Sequence, residues 1–123
     1  MDHDYEVSGR VIGCAIDVHK VLGPGLKEKP YEAALCQALS KKGLQFTCGR
    51  TVRLHFDGVR IGHHRPDLIV ENTVVVEVKS VERLHPLFTS QLVTYLKVTG
   101  LHVGLLLNFN CVRMKDGIKR VVR

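Results

Sequence analysis

The chain contains no tryptophan, only three tyrosines and four phenylalanines, and no long hydrophobic run. Its longest uninterrupted apolar stretches, around Val74–Val76 and Leu105–Leu107, are far shorter than the roughly 20 residues of a membrane-spanning helix, which excludes such a segment. Residues 1–6 lack the basic segment and apolar run of a secretory signal, so we expect a cytoplasmic protein. With so few aromatic rings to stack on bases, a dedicated binder of single strands is disfavoured.

Cysteine and histidine occur in no pattern that is typical of a zinc site or a disulfide framework. The cysteines are Cys14, Cys36, Cys48 and Cys111. They form no C-x-x-C pair and have no histidine at zinc-finger spacing, so we predict reduced and mostly buried thiols. The adjacent His63 and His64 would point to opposite faces of an extended strand, and we interpret them as surface or edge residues.

The 123 residues carry a net charge of +6, and 45% of them are hydrophobic. A chain of this length can bury one core, so we predict a single domain over residues 1–123. The positive charge favours a polyanionic partner, and much of it lies in residues 113–123. Lys119, Arg120 and Arg123 are therefore candidate nucleic-acid contacts, while a solvated basic tail is the open alternative.

Three helices are predicted where apolar residues recur at three- and four-residue steps. They extend from a capping Ser8 to Leu22, from about Lys27 to Lys42, and from Pro86 to Thr99. Gly100 follows the third helix as its terminator.

From Gln45 onward the hydrophobic period changes from about 3.6 to 2, which indicates strands. The predicted strands are Val52–Phe56 and Val59–Ile61 around an Asp57-Gly58 turn, Pro66–Val70 and Val74–Lys79 around residues 71–73, His102–Phe109, and a last edge-type hairpin of Val112–Met114 with Ile118–Val122. The first four would form an antiparallel meander. The order of elements predicts the α/β class, with a central mixed β-sheet flanked by helices.

The residues that carry chemical information are Asp67, Glu77 and Lys79. In the segment Val-Val-Val-Glu-Val-Lys, the side chains of residues 77 and 79 project to one face, where unpaired burial would cost several kcal/mol. A three-residue loop at 71–73 would place Asp67 opposite Glu77. Two neighbouring carboxylates, with no imidazole or thiolate on offer, favour a hard cation such as Mg²⁺ or Mn²⁺. The alternative is a plain ion pair between Lys79 and either acid.

Pro66-Asp67, then nine residues, then Glu77-Val78-Lys79 resembles the signature of the PD-(D/E)XK nuclease superfamily. Upstream, Gly25–Leu35 resembles the G-x-x-E-x-x-Y segment of the GxxExxY protein family, a bacterial and archaeal branch of that superfamily. Residues 91–97 and 104–109 resemble further blocks of the same family. The resemblance covers about Ser8 to Val122.

This resemblance implies an α/β/α restriction-endonuclease-like core and a nuclease that depends on Mg²⁺ or Mn²⁺. The metal ligands would be Asp67, Glu77 and the Val78 carbonyl, and Lys79 would be the catalytic lysine. The substrate would be nucleic acid, with DNA preferred over RNA.

The resemblance also implies residues from two helices. Glu28 occupies the acidic position in the family's name, and Glu32 lies one turn further on the same helical face, so either could reach the metal; we favour Glu28. Gln91 and Tyr95 match the Q-x-x-x-Y element that these nucleases place beside the active site, although Tyr95 could equally be a core residue.

Two other functions compete with hydrolysis. An accessory module could keep the acidic patch, bind nucleic acid and cleave nothing. An obligate homodimer could use an apolar face for assembly, which would make binding indifferent to metal removal. The acidic patch itself does not separate them, because fold and motif are inherited more reliably than activity.

Overall fold

The structure, a computed structural model, describes residues 2–123. Within them it has three α-helices, seven strands and one 3-10 turn, Met114–Gly117. The elements are α1 (Asp2–Leu22), α2 (Glu28–Lys41), β1 (Phe46–Cys48), β2 (Val52–Phe56), β3 (Val59–His64), β4 (Leu68–Val70), β5 (Val74–Lys79), α3 (Pro86–Thr99), β6 (Val103–Asn108) and β7 (Ile118–Val122). None of these helices is long and apolar enough to cross a bilayer.

Five strands form a mixed sheet in the order β1-β4-β5-β6-β7. Strands β5 and β6 are parallel, and the other neighbours are antiparallel. A parallel pair needs a crossover connection, which α3 supplies. Helices α1 and α2 pack on one face of the sheet and α3 on the other. The predicted mixed sheet flanked by helices is confirmed.

Successive residues of β5 belong to different cores, and this decides where the site lies. Val76 and Val78 pack with α1 and α2, whereas Val75 packs with α3. Because side chains alternate along a strand, Glu77 and Lys79 share the α3 face with Val75. The two charged residues therefore project beneath the crossover helix.

The first helix begins earlier than the sequence pattern predicts. It includes Asp2, and Asp2 and Asp4 place negative charge in its first turn, where the helix dipole favours it. Ser8 is therefore not a cap but a buried residue inside the helix. Its hydroxyl donates to the Tyr5 carbonyl oxygen at 2.6 Å and accepts from Arg120 Nε at 3.0 Å.

The first predicted hairpin exists, but it stands apart from the main sheet. Strands β2 and β3 form their own two-stranded sheet, and both Asp57 and Gly58 adopt the left-handed conformation that a tight turn requires. The partner of β4 is instead β1, a short strand that the sequence analysis did not predict. The predicted four-stranded meander is thus wrong.

The predicted last hairpin is also wrong. Val112 is exposed, and residues 114–117 form the 3-10 turn. Gly117 lies so close to the Asn108 carbonyl oxygen that a Cβ atom would meet it at 2.0 Å, so the turn packs directly against the end of β6. β7 then pairs with β6 as the edge strand of the main sheet.

The cysteines are free thiols, as predicted, but they are not mostly buried. Only Cys14 is fully buried, and Cys48 is exposed. Cys36 and Cys48 bring α2 and β1 together, with 3.7 Å between their sulfur atoms.

Tyr31 links the loop between α1 and α2 to the core. It is fully buried and stacks on Phe109 with 4.6 Å between ring centroids. Its hydroxyl donates to the Gly23 carbonyl oxygen at 2.6 Å and accepts from the Leu26 N–H at 3.1 Å. Tyr31 is therefore a packing residue that fixes the start of α2.

Replacing Tyr31 by Phe should destabilise the protein, because the Gly23 carbonyl and the Leu26 N–H lose a buried partner. We expect a loss of about 1–3 kcal/mol in the free energy of unfolding, measured by urea denaturation. Ser40→Ala, which removes an exposed hydroxyl of the same helix, is the matched control and should change stability little. Equal stability of wild type and Tyr31→Phe would contradict this role.

Candidate active site

Asp67 and Glu77 meet where β4 and β5 pair. Leu68 is opposite Val76, and continuing this register places Asp67 opposite Glu77. Asp67 Oδ2 accepts a hydrogen bond of 2.7 Å from the Val78 N–H. The two carboxyl groups interact electrostatically, because the negative charge of Asp67 contributes to raising the pKa of Glu77. The register predicted from the 71–73 loop is confirmed over residues 68–76.

Glu77 is the most deeply buried of these charged groups, with 8% of its surface exposed. Burial, followed by the charge of Asp67, raises its pKa to about 8, and the Lys79 ammonium partly offsets the rise. The carboxyl group is therefore largely protonated at neutral pH. A cation beside it would favour the ionised form.

His64, at the end of β3, contacts Glu77 directly. Its Nε2 lies 3.2 Å from Glu77 Oε1, and its ring stacks on Tyr95 with 3.4 Å between centroids and 11° between planes. Burial lowers the pKa of His64, and Lys79 adds to the effect against the opposing influence of Asp67. Because both pKa shifts favour neutral groups, this contact is a hydrogen bond at pH 7 and not an ion pair.

The expectation that His64 is a surface or edge residue is therefore wrong. It is half-buried between Tyr95 and Glu77, whereas His63 is exposed on the other side of the strand. The signal that could have found it is its position three residues before Asp67, at the end of a strand that leads into the acidic patch.

Lys79 is half-buried, and an aromatic ring holds its ammonium group. Nζ lies 4.4 Å from the centroid of the Phe88 ring, in the first turns of α3. Within residues 2–123 the one contact closer than 4 Å between a basic nitrogen and a carboxyl oxygen is that of His64 with Glu77. The plain ion pair between Lys79 and an acid, the alternative to a metal site, is therefore not formed.

Both candidate acids of α2 lie near the carboxylate pair. Glu28 is exposed at the first position of α2, and its charge is the weakest of the effects that raise the pKa of Glu77. Glu32 is half-buried, and burial followed by the charge of Asp67 raises its pKa. The charge of Asp67 thus acts on Glu32.

Of the two residues of the Q-x-x-x-Y element, Tyr95 lies in the site and Gln91 does not. Tyr95 lies against His64, and burial followed by the charge of Glu77 raises the pKa of its hydroxyl. Gln91 is exposed on α3. Lys79 is held by Phe88, one turn before Gln91.

The basic residues of the last strand are not equivalent. Arg120 lies over the Tyr5 ring at 3.9 Å and donates to its hydroxyl, so it holds α1 against β7. Arg123 Nε donates to the Leu101 carbonyl oxygen at 3.2 Å. Lys119 is exposed and lies in the same row of the sheet as Glu77, across Leu106.

The donor atoms fit a divalent cation in their chemistry. In the part of the chain that the structure describes, no three histidine, cysteine, aspartate or glutamate side chains are grouped to hold a metal ion by themselves. Asp67 and Glu77 are nevertheless two neighbouring carboxylates, the donors that hard cations prefer, and burial together with the charge of Asp67 raises the pKa of Glu77. His64 adds an imidazole, so the expected all-oxygen donor set is incomplete.

Comparison with known proteins identifies the class. The chain matches the family model of the PD-(D/E)XK nuclease superfamily over residues 5–121, and it belongs to that superfamily. Its mixed sheet, with helices on both faces, agrees with the restriction-endonuclease-like fold of these nucleases. Searches of curated proteins and of solved structures found no match.

The raised pKa of Glu77 predicts a change of stability with pH. Between the usual carboxyl pKa and about 8, Glu77 is protonated in the folded state but ionised in the unfolded state. The free energy of unfolding therefore falls as pH rises through this range. Without divalent cations, Glu77→Gln should therefore raise the free energy of unfolding by about 2 kcal/mol near pH 8 and by little near pH 5. Denaturant titrations at both pH values measure this.

Glu82→Gln is the matched control for this measurement, because Glu82 is an exposed carboxyl group in the loop before α3. It should show no comparable gain at either pH. A Glu77→Gln variant that is less stable than wild type at both pH values would show that the ionised carboxylate supports the fold.

Proposed function

We propose that this protein is a divalent-metal-dependent nuclease of the GxxExxY branch that hydrolyses phosphodiester bonds in DNA. The observation that carries the proposal is the position of Asp67, Glu77 and Lys79 on one face of the sheet, beneath α3. In a member of this superfamily these residues match the acidic pair and the lysine of the signature.

Asp67, Glu77 and the Val78 carbonyl would hold the cation. The Lys79 carbonyl accepts from the Phe109 N–H and so points toward β6, whereas the Val78 N–H points to Asp67. By the alternation of the strand, the Val78 carbonyl points to the same side as Asp67. A bound divalent cation would supply Lewis acidity at a phosphoryl oxygen and favour ionisation of a nearby water.

Lys79 is suited to bind the phosphoryl oxygen. Its ammonium group lies over the Phe88 ring and pairs with no carboxylate within 4 Å among residues 2–123. The positive charge therefore remains available to the substrate, and the ring limits its movement. A fixed charge of this kind stabilises negative charge that develops on the phosphate without reorganising during the reaction.

His64 and Tyr95 are positioning residues in this proposal. Tyr95 fixes the imidazole plane by stacking, and His64 in turn fixes Glu77 Oε1 through a 3.2 Å hydrogen bond. The Glu77 carboxyl group holds a proton near neutral pH, and this proton must leave for the carboxylate to bind a cation. Glu28 remains the proposed acid of α2, with Glu32 as the alternative because it interacts with Asp67.

A second function, an accessory module that binds nucleic acid without cleaving it, has one observation in its favour. Among residues 2–123 the structure has no ready group of three metal-binding side chains. A cleavage assay with metal separates the two functions.

Lys79→Ala should abolish cleavage of plasmid DNA in Mn²⁺ or Mg²⁺, with a loss of about 100-fold or more, because the fixed charge at the phosphate is removed. Its melting temperature should change little, since an ammonium–aromatic contact at a half-exposed site is worth about 0.5–1 kcal/mol. Lys115→Ala, at an exposed lysine of the 3-10 turn, should cleave like wild type.

If wild type binds DNA in a salt-dependent way but leaves it intact in both metals, the accessory function is correct and the nuclease proposal is wrong. Equal cleavage by wild type and Lys79→Ala would assign the activity to a contaminant or to another site.

His64→Phe should keep the stack on Tyr95 but remove the hydrogen bond to Glu77. We expect the affinity for Mn²⁺, measured by calorimetric titration, to fall by about tenfold or more, as for other residues that orient a metal ligand. His63→Phe is the matched control, because His63 is the adjacent exposed histidine. Unchanged Mn²⁺ affinity in His64→Phe would show that Glu77 needs no orientation by this ring.

A further inference from the structure

The β2–β3 hairpin is a two-stranded sheet that is separate from the main sheet. It contacts the body of the protein through α3 and through His64, which reaches Glu77, and its tip is open to solvent, with Phe56 and Val59 67% and 63% exposed. A two-stranded ribbon with so few neighbours contributes little to the core, so its side chains are free to serve another purpose.

Two cross-strand pairs on the exposed face of the hairpin consist of arginine and histidine, and the apolar Ile61 is exposed beside them at the bulge. Arg53 is opposite His63 and His55 is opposite Arg60, because a bulge after Leu54 shifts the register and keeps both pairs on one face. All four side chains of these pairs are exposed. We call these four residues the outer face of the hairpin.

The outer face has no acidic counterpart. Between residues 50 and 65 there are four arginines and a single acid, Asp57, which lies in the turn. Within residues 2–123 neither Arg53 nor Arg60 forms an ion pair within 4 Å. Across the ribbon each of these arginines faces a histidine and not an acid, so within residues 2–123 no carboxylate compensates its charge.

The opposite face of the same hairpin leads into the candidate active site. Val52 is opposite His64, and His64 is the residue that contacts Glu77 and stacks on Tyr95. A polyanion bound on the outer face would therefore lie on the other side of the strand that carries His64. This continuity favours a nucleic-acid substrate over an anionic lipid surface, which would have no reason to adjoin these carboxylates.

We propose that the β2–β3 hairpin enters the major groove of duplex DNA, with Arg53 and Arg60 contacting phosphates or base edges. The major groove admits a two-stranded β-ribbon, and strands of five and six residues span about 17–20 Å, enough to lie along it. Arginine binds phosphate and guanine through two parallel N–H groups, which suits both positions. This inference rests on the proposed function only for the identity of the substrate.

The test measures binding of a 20-base-pair DNA duplex by the full-length protein in EDTA, by fluorescence anisotropy at several salt concentrations. The double variant Arg53→Ala/Arg60→Ala should bind about tenfold or more weakly, and the slope of log affinity against log salt should fall by about two. The matched control, Arg113→Ala/Lys115→Ala, removes two exposed charges outside the hairpin and should bind within about twofold of wild type.

Four results would overturn the inference. The hairpin variant could bind the duplex as wild type does, or the control could lose as much affinity as the hairpin variant, which would mean that only total charge matters. Single-stranded DNA of the same length could bind as tightly as the duplex, which would exclude groove recognition. Preferential binding to vesicles containing 30% anionic lipid would assign the outer face to a membrane surface.

The cleavage assay keeps this inference distinct from the proposed function. Hairpin-dependent binding of the duplex without cleavage in Mn²⁺ would disprove the nuclease activity and support the groove-binding hairpin. Cleavage by Arg53→Ala/Arg60→Ala with the KM of wild type would disprove the hairpin's role and leave the nuclease activity intact. Both variants keep their cores, because every substituted side chain is exposed.

Discussion

The structure depends on the burial of one carboxyl group, Glu77, in the central strand of the sheet. Removing an ionised carboxylate from water without compensation is costly, and three features reduce the cost. The pKa of Glu77 is raised to about 8, so the carboxyl group keeps its proton near neutral pH. His64 forms a hydrogen bond with it, and Lys79 supplies a nearby positive charge. When the group loses this proton, Lys79 offsets its charge only in part, so additional positive charge beside the ionised carboxylate would be favourable. The site is therefore a buried region in which the charge of the ionised carboxylate is only partly compensated.

The topology supplies the neighbours of this group. Because β5 and β6 are parallel, the chain must cross the sheet between them, and the crossover is α3. That helix places Phe88 over the Lys79 ammonium and Tyr95 against His64. The parallel pairing of β5 and β6 thus requires α3, and α3 in turn positions the Lys79 ammonium group and the His64 ring. A rearrangement of α3 would disturb both of these neighbours of Glu77.

The sequence predicts the parts of the site that depend on local rules. The 71–73 loop and the alternation of two strands suffice to place Asp67 opposite Glu77, and Pro86 with Gly100 defines α3. It fails where distant contacts decide. Ser8 is a strong capping signal by itself, but α1 already begins at Asp2, and the Ser8 hydroxyl instead binds Arg120, more than a hundred residues away. His64 was missed because alternation shows that two adjacent histidines face opposite ways without showing which of them faces the acids.

The same distinction applies to the positive charge of the protein. The sequence alone does not distinguish an arginine that the fold uses from one that is free to bind a ligand. It therefore favours the last strand as a nucleic-acid contact, because the basic residues there are close together. In the fold, Arg120 binds Tyr5 and Ser8, and Arg123 binds a carbonyl oxygen, so part of that charge already has a structural role. A cation that the fold already uses must give up its partners before it can bind phosphate, whereas Arg53 and Arg60 make no such ion pair within residues 2–123. Arg53 and Arg60 are therefore among the exposed cations that no ion pair within residues 2–123 holds, and the hairpin brings both to one face.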